Sequence, residues 1–202
     1  MSLDRHKYRR IESLYGHFAS WAVWADEGEK PKSNVGDLSI FDLDKNPNLL
    51  GILNPNVVMV GLNISRAIQK PFGNFHDNRP QSQDYKLRYA FRNTPFYGAY
   101  MTDIIKDFEQ LIAGEVSKFL KTNQEFELQN ISAFKQELLD VGAQNPLLIA
   151  FGNHSFSLLE KHLGKEHRII KVPHYSMQIN KDDYKEKVKN NLAEYGYMES
   201  HK

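Results

Sequence analysis

The chain of 202 residues contains no cysteine. A thiol nucleophile, a thiolate zinc site and a cysteine-ligated iron–sulfur cluster are therefore excluded. Long apolar runs are missing as well, the longest being a handful of residues against the roughly 20 that a membrane-spanning helix needs. The opening MSLDRHKYRR lacks the apolar core of a secretion signal. A cytoplasmic protein with no membrane partner is the expectation. Net charge is nearly absent too: 26 Lys and Arg stand against 25 Asp and Glu, leaving +1. That balance does not suit a chain that coats nucleic acid non-specifically, although a local basic face stays open. Eight histidines remain, and His76, Asp77, His162 and His167 are the conceivable metal ligands. No HExxH-type spacing joins them, so neither metal nor cofactor is expected.

The 41% hydrophobic and 25% charged residues describe an ordinary globular protein. No internal repeat or low-complexity tract divides it, so one domain, 1–202, is predicted. Tyr8, Ile11, Leu14, Tyr15, Phe18, Trp21, Ala22 and Ala25 recur at helical spacing and predict a helix from Asp4 to about Asp26. A polar loop, 27–34, ends it, and the chain stays rich in Asn, Pro and Gly up to Asn56. Four short apolar runs follow at 57–62, 98–103, 147–151 and 168–172. Each reads as a buried strand. Between them the periodicity predicts helices at 85–92, from Ile104, at 131–141, after Gly152 and at 181–195. Alternating strands and helices predict a three-layer α/β/α fold with a mainly parallel, roughly four-stranded sheet over 57–190, the N-terminal helix lying alongside. In such a sheet ligands bind beyond the carboxyl ends of the strands. Those ends are Asn63-Ile64-Ser65, Asp103, Gly152-Asn153-His154 and Pro173-His174-Tyr175-Ser176.

Taken in order, these strand ends resemble the uracil-DNA glycosylase superfamily. VVMVGLNIS, 57–65, is similar to its first motif, a buried strand entering Gly-x-Asn/Asp/Glu-Pro. AYMTDIIK, 99–106, resembles the strand whose end offers an Asn to the base. LLIAFGNHSFSLL, 147–159, resembles the apolar strand, Gly turn and helix, and RIIKVPHYS, 168–176, the closing strand with its His-Pro-Ser loop. The resemblance covers about two thirds of the chain. It implies hydrolysis of an N-glycosidic bond to a damaged or mismatched base in DNA. Asn63 would position water and His174 would stabilise the departing base. Asp103 would read the base edge, Phe72 or Phe75 would stack on it, and Ser65, Ser176 and Asn153 would hold phosphates or loops. Three positions depart from the pattern. Ile64 and Tyr175 replace prolines, and Asp103 replaces Asn. An ionised Asp only accepts hydrogen bonds, so any bound base is expected to present N–H or amino donors, which plain uracil does not do at O4.

Each of these residues also has an ordinary use. Asn63 and Ser65 suit a turn or cap, Asp103 a cap on a helix starting at Ile104, and Asn153 a cap on the next helix. His154 suits a plain surface position, and Phe72 and Phe75 suit a core. Residues 161–189 hold eight basic against four acidic side chains, a phosphate-facing patch or a solvated helix face. The competing function is a non-catalytic protein that binds a nucleotide or nucleic acid in the same pocket. The missing prolines favour it, because they would stiffen the loops that grip a flipped nucleotide. A small-molecule enzyme on this scaffold is a third class, since fold does not fix function.

Overall fold

The computed structural model describes residues 3–106 and 108–197; the ends of the expected domain, 1–2 and 198–202, lie outside it. Asp4 accepts the Lys7 backbone N–H at 2.8 Å and caps helix α1, Arg5–Tyr15, which buries Tyr8 and Ile11. The helix stops at Gly16 and does not continue to Asp26 as expected. Instead Ser20–Trp21 form a short strand, β1. Residues 19–24 are all buried. Ala19, Trp21 and Val23 enter one apolar core while Ala22 and Trp24 enter the other. That is an alternation of two, which a helix cannot supply.

Residues 27–56 contribute a 3-10 turn, Leu38–Phe41, and a one-turn helix α2, Leu49–Ile52. The sheet is then completed by β2 (Asn54–Asn63), β3 (Ala99–Ile105), β4 (Leu147–Phe151) and β5 (Ile169–Val172). Its order is β1-β3-β2-β4-β5. The pairs among β2, β3, β4 and β5 are parallel, and β1 is antiparallel on β3. The four expected parallel strands are present, with a fifth at one edge. Helices α3 (Tyr85–Phe91) and α7 (Lys181–Glu194) bury Leu87, Phe91, Tyr184 and Leu192 on one face of the sheet. Helices α1, α4 (Ala113–Thr122), α5 (Gln124–Val141) and α6 (Gly152–Leu163) cover the other. The result is three α/β/α layers. Among the described residues no helix is long and apolar enough to cross a membrane.

Two boundaries matter for the site. Ile104 and Ile105 belong to β3, not to a helix, so Asp103 caps nothing and lies within a strand. Asn153 is the second residue of α6, whose cap position is Phe151. β3 and β4 flank β2 on opposite sides, so successive crossovers leave β2 in opposite directions. A crevice opens above the carboxyl ends of β2 and β4 at such a switch point.

A cavity at the switch point

A cavity of about 510 Å³ occupies that crevice. All four parallel strands send residues to it: Asn63 from the end of β2 and Ser65 just beyond it, Asp103 from β3, Gly152 to His154 after β4, and His174 to Ser176 after β5. Phe75 and Asp84 come from the β2–α3 connection. No residue of 27–56 lines it.

One wall is delivered by a strained loop. Phe72 and Phe75 have φ of 59° and 62°, in the left-handed region that costs a non-glycine residue about 1–3 kcal/mol. Hydrogen bonds to residues 16–24 hold them there. Phe72 N–H donates to the Gly16 carbonyl at 2.7 Å, Ser20 Oγ to the Phe72 carbonyl at 2.8 Å, and Asn74 Nδ2 to the Phe18 carbonyl at 2.8 Å. His76 is buried between the carbonyls of Val23 and Asn74, both 2.9 Å away. It therefore serves this loop. The consequence separates the two phenylalanines. Phe75 lines the cavity, with its ring against Phe151 and Tyr175 at 6.1 Å each. Phe72 lies against Tyr8 and Phe41 in the core and is not part of the cavity wall, so the expected choice between them for stacking falls to Phe75.

The floor is Asp103. Asn74 Nδ2 donates to its Oδ2 at 2.8 Å. A Cβ on Gly61 would lie 2.0 Å from its Oδ1, so the glycine leaves room for the carboxylate. Burial raises the Asp103 carboxyl to about 6, against the opposing help of Asn74 and Lys106. Asp84, also buried, accepts the Asp77 backbone N–H at 2.8 Å and is likewise raised by burial to about 6. At the rim Arg66 and Arg79 both pair with Asp77, at 2.8 and 3.0 Å. Gly61→Ala should cost about 1–3 kcal/mol by overpacking. Adding Asp103→Ala should return most of it, because the clash is with that one side chain. Urea melts of the two single variants and the double variant measure this, and additive losses would show that the glycine is needed for something else.

His174 closes the site. The Ser176 backbone N–H donates to its Nδ1 at 3.2 Å, and Ser176 Oγ lies 2.8 Å from the same atom. A backbone amide only donates, so Nδ1 is the unprotonated nitrogen and the neutral ring carries its proton on Nε2. Burial lowers its pKa to about 4. The ring stacks on Tyr175 at 4.4 Å, and a Cβ on Gly152 (φ 82°) would lie 3.2 Å from its Cβ. Asn63 is mainly a clamp. Its Nδ2 reaches the carbonyls of Ile64, Phe108 and Gln110 at 3.0, 3.1 and 2.8 Å, which leaves Oδ1 as the free end of its amide. Ser65, Asn153 and Ser176 are exposed at the mouth. His154 shares a 2.7 Å hydrogen bond with Ser117.

Sequence patterning misses Asn74, Asp84 and Tyr175. The first two lie in a polar stretch with no period. Tyr175 is visible only as a substitution for proline, yet it fills the wall that the two buried phenylalanines leave. The basic residues of 161–189 disperse: Lys161 pairs with Glu127, Lys171 lies over Phe156 and Lys181 over Tyr89. No protein-family model and no curated protein matches the sequence.

Proposed function

We propose that the cavity receives a base turned out of a DNA strand and that the protein hydrolyses its N-glycosidic bond, as the resemblance to uracil-DNA glycosylases implies. The observation that carries the reading is convergence. The four strand ends that bear the resemblance line a single cavity, and His174 stands there neutral with a proton on Nε2. The base would slide against Phe75 and Tyr175 and turn its donor edge to Asp103. Asn63 Oδ1 would hold a water below the anomeric carbon. The carbon–nitrogen bond breaks with its electron pair going to the base, and water adds to the sugar carbon and loses a proton to solvent. His174 Nε2–H would stabilise the charge arriving on a base oxygen. A base must leave the stack to reach such a depth.

One observation favours binding without cleavage: Asn63, the residue offered for the water, spends its amide hydrogens on three loop carbonyls. The deciding experiment is alkali-revealed strand cleavage on single- and double-stranded oligonucleotides. They would carry uracil, hypoxanthine, xanthine, mismatched thymine or N7-methylguanine. Cleavage of at least one strand is expected, falling about tenfold or more in both Asn63→Ala and His174→Ala. No cleavage by folded protein would overturn the hydrolase and leave the binding protein.

A further inference from the structure

The buried charged side chains that line the cavity are both acidic. Asp103 is only 4% exposed and Asp84 only 7%, and both line the same space. Each has one carboxylate oxygen committed, Asp103 Oδ2 to Asn74 and Asp84 Oδ2 to the Asp77 amide. Asp103 Oδ1 receives no hydrogen bond from the described residues, and Asp84 gains besides only the neutral hydroxyl of Ser82. The cations nearby are spent elsewhere. Arg66 and Arg79 pair with Asp77 at the rim, and Lys106, behind Asp103, pairs with buried Glu137 at 2.7 Å. His174 is neutral. The aromatic rings of Phe75 and Tyr175 line the same space, and the faces of such rings attract cations.

We infer that the cavity is built for a cationic heteroaromatic base, an N-alkylated purine such as N7-methylguanine or N3-methyladenine, in preference to a neutral one. This rests on the base-binding reading above and names the substrate class of that site. Two buried carboxylates with no ion pair of their own are costly to ionise, and Lys106 and Arg66 offset only part of that cost. A planar cation bound beside them and against the aromatic rings supplies the charge that is lacking. The chemistry of the leaving group agrees. An alkylated purine departs neutral, because the electron pair of the breaking carbon–nitrogen bond cancels the ring's positive charge. Little anion stabilisation is then needed, and a water held by a neutral amide suffices. Those are the modest resources that His174 and Asn63 offer. A neutral base would depart as an anion into a site already holding two carboxylates, and like charges there oppose it.

The test is calorimetric titration of the full chain at pH 6.5, where the methylated ring keeps its positive charge, with 7-methylguanosine, guanosine and uridine, beside retention and cleavage of the oligonucleotide panel. The methylated nucleoside is expected to bind at least tenfold more tightly than guanosine. Asp103→Asn and Asp84→Asn should each shrink that ratio, with thermal melts showing both variants folded. Guanosine or uridine binding as well as 7-methylguanosine overturns the inference, as does a ratio unchanged in both variants. Should no nucleoside bind, the strands decide: N7-methylguanine neither retained nor released better than uracil or hypoxanthine also overturns it. Neutral lesions released without preference for the cation would leave the glycosylase standing and remove the inference. Tight cation binding with no release would do the reverse, and no binding of any probe would remove both.

Discussion

Lys106→Ala is expected to destabilise the protein by about 3–5 kcal/mol, because it strands a charge in the core. Glu137 is fully buried and Lys106 nearly so. Oε1 of Glu137 accepts the Tyr100 hydroxyl at 2.7 Å and Thr102 Oγ1 at 2.9 Å, and Oε2 faces the ammonium at 2.7 Å. Lys106 Nζ also lies 4.9 and 5.7 Å from the ring centroids of Phe18 and Phe134 and donates to the Asp103 carbonyl. Truncating it leaves Glu137 with two hydroxyl donors and no counter-charge. A buried carboxylate left in that way is the source of the expected loss. Replacing both partners by Lys106→Met and Glu137→Gln should recover at least half of the loss, since a neutral amide keeps both hydroxyl partners. Urea denaturation at pH 7 measures both quantities. A loss below about 1 kcal/mol for Lys106→Ala would mean that the ion pair contributes little to the fold. The pair also backs the segment that carries Asp103, so its removal should disturb the cavity along with the fold.

That network shows where reading the sequence succeeds and where it stops. The four parallel strands are legible because each carries a short apolar run buried on both faces, and the hydrophobic effect writes such runs plainly into composition. Their carboxyl ends are legible for the same reason, since the sheet's geometry sends whatever follows a strand to one rim. The segment 19–24 misleads because Trp21, Ala22 and Ala25 also fit a period of 3.6 from α1. Alternation over so few residues cannot compete with a longer helical pattern, and the stop at Gly16 decides it. Ile104 and Ile105 suggest the start of a helix, although β-branched pairs favour strands, because Asp103 before them looks like a cap. Asn74 and Asp84 leave no trace at all. The role of Asn74 depends on two left-handed phenylalanines and on hydrogen bonds to residues some 50 positions earlier, and that of Asp84 on a loop that turns the Asp77 amide onto it; no local pattern encodes either.

Asp103→Asn should make the protein more stable at pH 8, by up to about 3 kcal/mol, and leave it unchanged near pH 4. Burial lifts the folded carboxyl from 3.8 to about 6, which makes its ionised form costly by about 1.4 kcal/mol per unit. The folded state therefore holds its proton more tightly than the unfolded chain. That cost is fully present above pH 6 and disappears as pH falls from 6 towards 3.8. His174 works in the opposite direction. Its folded pKa of about 4 lies below the ordinary 6.5, so stability is lost as pH falls from 6.5 to 4, when the unfolded chain takes up a proton that the buried ring refuses. In the parent the two trends partly cancel across the same window. In Asp103→Asn one opposing carboxyl is gone and Asp84 remains, so the variant should lose stability more steeply than the parent as pH falls from 6.5 to 4. Urea-derived stabilities at pH 8, 6 and 4 trace both curves. Equal stability at pH 8 would mean that Lys106 and Asn74 already compensate the carboxylate, and the cavity would then hold no uncompensated charge for a cation to meet. A variant more stable than the parent at pH 8 is the pattern of a residue kept at a cost to the fold. A cation that occupies the cavity should narrow this gap, because it stabilises the parent by supplying a charge that the variant's neutral amide does not call for.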